Sequence, residues 1–87
     1  MFILSEVIDR EINTPEVFES IEKAREEMCS RIAETFHAEK DDVLGLLQEA
    51  ILNDDDVDSD DEKFTIGKDS AYGTRSGENF DWKIHEV

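Results

Sequence analysis

The 87-residue chain carries 24 acidic and 9 basic side chains, a formal net charge of −15, and its 38% of apolar residues suffice for one small core. That length is too short for a Rossmann, barrel or kinase fold with its own active site. The acidity excludes direct binding of DNA or RNA, which works through Lys and Arg displacing phosphate counterions.

The opening run Met1-Phe2-Ile3-Leu4 stops at Ser5-Glu6, far below the roughly 20 apolar residues of a membrane span, and lacks the basic start of a signal peptide. A single cysteine, Cys29, rules out an internal disulfide and suits a reducing cytoplasm, the expected location.

In chain order, Leu4, Val7, Ile8 and Ile12 fall at helical spacing and predict a short first helix capped by Ser5. A stronger helix is predicted over 15–36. Thr14 suits the N-cap, Pro15 the first position and Glu16 the positive end of the dipole. Val17, Ile21, Ala24, Met28 and Ile32 then share one side, with Glu16, Glu19, Glu22 and Glu26 pointing away. Another helix follows over 41–53, with Asp41 and Asp42 in its first turn and Val43, Leu44, Leu47, Ala50 and Ile51 inward. Ile32 to Leu47 has the outline of a helix-turn-helix, but its second helix has no basic residue to meet DNA. It reads as two packed helices.

Residues 54–62, Asp54-Asp55-Asp56-Val57-Asp58-Ser59-Asp60-Asp61-Glu62, contain no base, and self-repulsion predicts an extended, solvated connector. Beyond it the period becomes two. Phe64 and Ile66 flank Thr65, Ser76-Gly77-Glu78-Asn79 is turn chemistry, and Phe80, Trp82 and Ile84 alternate with Asp81, Lys83 and His85. The expected architecture is α+β, one domain over 1–87. Two or three helices occupy 1–53, the connector 54–62, and a C-terminal antiparallel hairpin or three-stranded meander 63–87, its apolar face covered by the helices. Self-repulsion further predicts that salt stabilises the chain. An acidic protein of this small size is also expected to form a homodimer or to live in a complex.

Each chemical motif stops short of a site. Asp54, Asp56 and Asp58 have the spacing that opens an EF-hand loop, but Ser59 stands where glycine is required and Thr65 where glutamate is required. No metal site is expected beyond loose divalent binding. Cys29 with His37 or His85 has the elements of a thiol nucleophile, yet Cys29 lies beside the apolar stripe and reads as structural. No catalytic residue and no cofactor is expected. Trp82 shares a strand face with Phe80 and Ile84, which makes it core, whereas Tyr72 is open.

The remaining signal is the negative surface. Glu16, Glu19, Glu22, Glu26 and Glu27 would lie roughly 5–6 Å from one another on a helix, a spacing on the scale of duplex phosphates. Together with Asp54, Asp55, Asp56, Asp58, Asp60, Asp61 and Glu62, they predict docking on a basic protein partner in a groove shaped for nucleic acid. Tyr72 is the candidate aromatic anchor. Two other readings stay open: an antitoxin or small regulator that neutralises a basic partner without imitating DNA, and acidity that serves solubility alone.

Asp69-Ser70-Ala71-Tyr72-Gly73, followed by Asn79-Phe80-Asp81-Trp82-Lys83-Ile84, resembles the ending of short uncharacterised proteins carried by bacterial phages and mobile elements. The resemblance implies a setting in which small acidic proteins often inhibit host defence nucleases, anti-CRISPR proteins among them. It carries over no catalytic or binding residue. With the charge, it makes a non-enzymatic inhibitor of a nucleic-acid-binding host enzyme, such as a CRISPR effector, the expected function.

Overall fold

A computed structural model describes all residues, 1–87. The elements in chain order are β1 (Phe2–Ile8), β2 (Glu11–Ile12), β3 (Glu16–Phe18), α1 (Ile21–Phe36), α2 (Lys40–Asn53), β4 (Val57–Asp58), β5 (Phe64–Ile66), β6 (Ser70–Arg75) and β7 (Glu78–Glu86). All strand pairs are antiparallel, in the order β2-β1-β7-β6-β5-β4, with β3 also paired to β1. Strands thus run through the whole chain, which corrects the expectation of helices over 1–53 and a sheet confined to 63–87.

The opening segment shows why. On β1, Phe2, Leu4, Glu6 and Ile8 share one face, while Ile3, Ser5 and Val7 share the other. Both sets contain apolar residues, so the period of two is masked and the segment matches a helical spacing by accident. The chain turns back at Asp9-Arg10, which join Ile8 to its cross-strand partner Glu11. Both turn residues have positive φ, 48° and 76°, as a two-residue type I′ turn requires. Ile12, assigned to the end of a helical stripe, lies opposite Val7 instead.

The long helix also starts later than expected. Glu16, Val17 and Phe18 pair with Leu4, Ile3 and Phe2, so the signal of Thr14 and Pro15 is overridden by strand pairing of a β-branched and an aromatic residue. Ser20 supplies the N-cap in an extended conformation, its Oγ accepting the Lys23 N–H at 3.2 Å. Both helices end in left-handed residues that are not glycine, His37 and Asp54. Each donates its N–H back to an alanine carbonyl, Ala33 and Ala50 respectively.

Residues 54–62 are largely exposed, but they are not a featureless connector. Val57 and Asp58 pair with Ile66 and Thr65, and the hairpin tip is organised by Ser59, the one buried polar side chain. Its Oγ accepts the backbone N–H groups of Lys63 and Phe64 at 3.0 and 3.2 Å and donates to Asp61 Oδ1 at 2.9 Å. A short serine hydroxyl thus holds the acidic run against its own repulsion.

Both helices pack on the same face of the sheet. Ala24, Met28, Cys29, Ile32 and Phe36 of α1 and Val43 and Leu47 of α2 join sheet residues that include Leu4, Ile66, Ala71, Trp82 and Ile84. Phe36 sits among three aromatic rings, at centroid distances of 5.2 Å to Phe64, 5.8 Å to Phe80 and 6.3 Å to Trp82. Gly73 makes this possible, since a Cβ there would lie 2.6 Å from both the Phe36 ring and the Lys63 carbonyl oxygen. The opposite sheet face carries no layer.

Candidate functional site

The candidate carboxylates separate into two populations. Glu16 lies on β3 and Glu19 in the loop before α1, so no continuous glutamate ladder runs along one helix. Arg31 instead gathers three carboxylates from three elements: Glu27 Oε2 at 2.9 Å, Glu16 Oε2 at 3.3 Å and Glu6 Oε2 at 3.5 Å. Glu6 also accepts the Trp82 indole N–H at 2.7 Å. Burial works against the Arg31 charge, but the Glu27 hydrogen bond and the charges of Glu6, Glu27 and Glu16 outweigh it and raise its pKa. Glu26 reaches Lys40 at 3.3 Å and Glu19 meets Lys23 at 3.9 Å. Of the helical candidates only Glu22 has no basic neighbour.

The second population is spread along α2, from Glu39 at its start to Asp54 at its end, and along the β4–β5 hairpin. Sixteen of the 24 carboxylates have no cation within 4.0 Å, and nine of those sixteen fall within residues 39–62. Within the acidic run, Asp54 is held by Lys68 at 2.7 Å and Asp58 accepts the Thr65 hydroxyl at 2.6 Å. Asp55 accepts the backbone N–H of Asp56, and Asp61 is steadied by Ser59 and, at 3.5 Å, by Lys63. Lys68 lowers the Asp54 carboxyl pKa, and the Ser59 hydroxyl chiefly lowers that of Asp61. No side chain engages the carboxylates of Asp56, Asp60 and Glu62.

Between α2 and this hairpin lies a groove of about 340 Å³. Its floor includes Phe36, Val43, Leu46 and Phe64, and its rim carries Glu39 and Asp42 on one side and Asp60 and Asp61 on the other. The sequence reading missed Glu39 and Asp42 as members of the site. Asp41 and Asp42 were legible only as favourable charges at the positive end of a helix.

Tyr72 is half exposed on the uncovered sheet face, paired with Thr65 and Asp81, so it belongs to a different surface from the groove. Trp82 is buried in the core. The EF-hand-like aspartates do not converge, and no three His, Cys, Asp or Glu side chains are grouped to hold a metal ion. Cys29 is sealed in the core, where burial pushes its thiol pKa up to about 11. His37 meets the Arg75 guanidinium at 2.7 Å, while His85 lies on the uncovered face opposite Ile3.

No helix is long and apolar enough to cross a membrane. No protein-family model, curated protein or solved structure matches the chain.

Proposed function

We propose that this chain is a non-enzymatic cytoplasmic binding protein that inhibits a protein partner by docking its acidic 39–62 region on a cationic surface used to hold nucleic acid. The observation that supports the reading is the crowding of unpaired carboxylates into residues 39–62, three of which, Glu39, Asp42 and Asp60, stand on the rim of a groove floored by Phe36, Val43, Leu46 and Phe64. Charge of this density, without internal partners, accelerates encounter with a basic surface and gives register. The groove adds what charge does not, an apolar contact from which water can be expelled. Glu16, Glu26 and Glu27 are secondary, because Glu16 and Glu27 are engaged by Arg31 and Glu26 by Lys40. A defence nuclease is the partner class that the phage-type resemblance of the C-terminal segment implies.

The test is capture of the partner from lysate on immobilised protein, followed by elution with duplex DNA. Retention at low salt, displacement by duplex DNA, and loss of capture with Asp55→Asn/Asp56→Asn/Asp60→Asn/Glu62→Gln are expected. A partner that resists duplex DNA and still binds the neutralised chain would defeat the reading. One lost on neutralisation but indifferent to DNA would reduce the function to that of a small regulator of a basic protein.

A further inference from the structure

The sheet face without helices differs from the rest of the surface in charge and in apolarity. Four rows cross it: Val17–Ile3–His85, Ser5–Lys83–Ser70, Ile12–Val7–Asp81–Tyr72–Thr65, and Asn79–Thr74. Ile12 is 76% exposed, Val17 54% and Tyr72 52%, with Ile3 and Val7 half-buried between them. A chain with this charge has little reason to leave three such side chains in water on one face.

The basic residues supply a second observation. Six of the nine cations form ion pairs with carboxylates, and Arg75 meets His37. The two left without any side-chain partner are Arg10 and Lys83. Lys83 projects from this face, and Arg10 lines a hollow with Val7, Tyr72 and Asp81. Asp81 is likewise unpaired, and Asp58 at the far margin binds only Thr65. Arg10 and Lys83 here stand against Asp81, Asp58 and Asp9 of the same turn as Arg10, so the charges of this face nearly cancel while the whole chain carries −15.

We propose that this uncovered face is the interface of a two-fold symmetric homodimer, in which Ile12, Val17 and Tyr72 pack across the axis and Lys83 of each copy meets Asp81 of the other. A second copy is the occupant that the charges select. Two such acidic chains repel over their other surfaces and approach at least cost where the local charge nearly cancels. A basic partner is drawn to residues 39–62 instead, and nucleic acid is repelled by the whole. In an isologous contact residue i meets j and j meets i, so a face with one unpaired cation and one unpaired anion on neighbouring positions of a strand is self-complementary.

Sedimentation equilibrium of the full chain over a range of protein and NaCl concentrations tests this. A dimer that strengthens with moderate salt is expected, because screening weakens the net repulsion. Ile12→Lys/Val17→Lys should weaken it by about tenfold or more. Asp81→Lys or Lys83→Asp alone should weaken it, and the double swap Asp81→Lys/Lys83→Asp should restore it. All four positions are exposed, so circular dichroism should report an unchanged fold. A chain that stays monomeric at every concentration and salt, or a dimer indifferent to these substitutions, overturns the proposal.

Discussion

Around Arg31, three carboxylates from β1, β3 and α1 converge on one guanidinium; around the groove stand four carboxylates, Glu39, Asp42, Asp60 and Asp61, of which only Asp61 meets a cation, Lys63. The two clusters use the same residue types. In the first, one shared cation ties β1, β3 and α1 together; in the second, Asp61 is held by the Ser59 hydroxyl and Lys63, and the other three carboxylates have no side-chain partner. Acidity in one chain therefore serves two ends, and only the position of the cations tells them apart. A carboxylate engaged by Arg31 has little to offer a partner, whereas Glu39, Asp42 and Asp60, with no cation beside them, have their charge free for one.

Removing the matching cation is the strongest way to break this contrast. Arg31→Met leaves Glu6, Glu16 and Glu27 facing one another in a half-buried site. After discounting for partial exposure, the expected loss is roughly 2 kcal/mol, read as a lower urea midpoint at unchanged slope. Glu6→Gln sharpens the result, since its amide oxygen still accepts the Trp82 N–H while the charge and the exposed hydrogen bond from Asn13 Nδ2 are lost, so it should be milder. A midpoint unmoved by Arg31→Met would mean that the two clusters do not differ.

These clusters also mark where sequence reasoning reached and where it stopped. Phe80, Trp82 and Ile84 were legible as a strand face, and Val43, Leu47 and Ala50 as a helix face, because each has one buried side and a clean period. The first 18 residues were not. β1 pairs on both sides and has apolar residues on both faces, and the Asp9-Arg10 turn lacks the glycine that usually marks such a hairpin. Missing β1 and β3 hid the partnership of Glu6 and Glu16 with Arg31, so Glu16 and Glu27 read as free charge. The density of 54–62 was visible, but its union with Glu39 and Asp42 depends on the Ser59 hydrogen bonds, which no composition argument reveals.

A smaller effect is expected in the acidic run. Asp55→Asn/Asp56→Asn/Asp60→Asn/Glu62→Gln removes four charges that have no cation, so it should leave stability within about 1 kcal/mol of the natural chain, on the side of a gain. The natural chain should melt at higher temperature as NaCl is added, and the substituted one should respond less. A neutralised chain that loses stability, or an equal salt response in both, would show that these carboxylates are as internally engaged as those around Arg31.

The smallest effect concerns the two carboxylates of the acidic run whose folded pKa values are depressed, Asp54 by Lys68 and Asp61 chiefly by the Ser59 hydroxyl. A group with a lowered folded pKa contributes stability that is fully present above its unfolded value, here near 3.8, and is lost as the pH falls through the lower folded value. Asp54→Asn keeps a residue that tolerates the left-handed backbone, and Asp61→Asn keeps an acceptor for Ser59, so the double variant removes charge with little else. Its stability curve, followed by circular dichroism in urea at a series of pH values, should run parallel to and slightly below that of the natural chain above pH 3.8. Below that the two should converge. A gap that persists to the lowest pH would assign the contribution to packing, and curves that coincide already at neutral pH would mean that the Asp54 and Asp61 charges hold nothing in place. In either case the ordered hairpin would owe its form to the Val57 and Asp58 pairing and to the Ser59 bonds with the Lys63 and Phe64 N–H groups, and the charges on the rim of the groove would be less fixed than those of the Arg31 cluster to which they are compared.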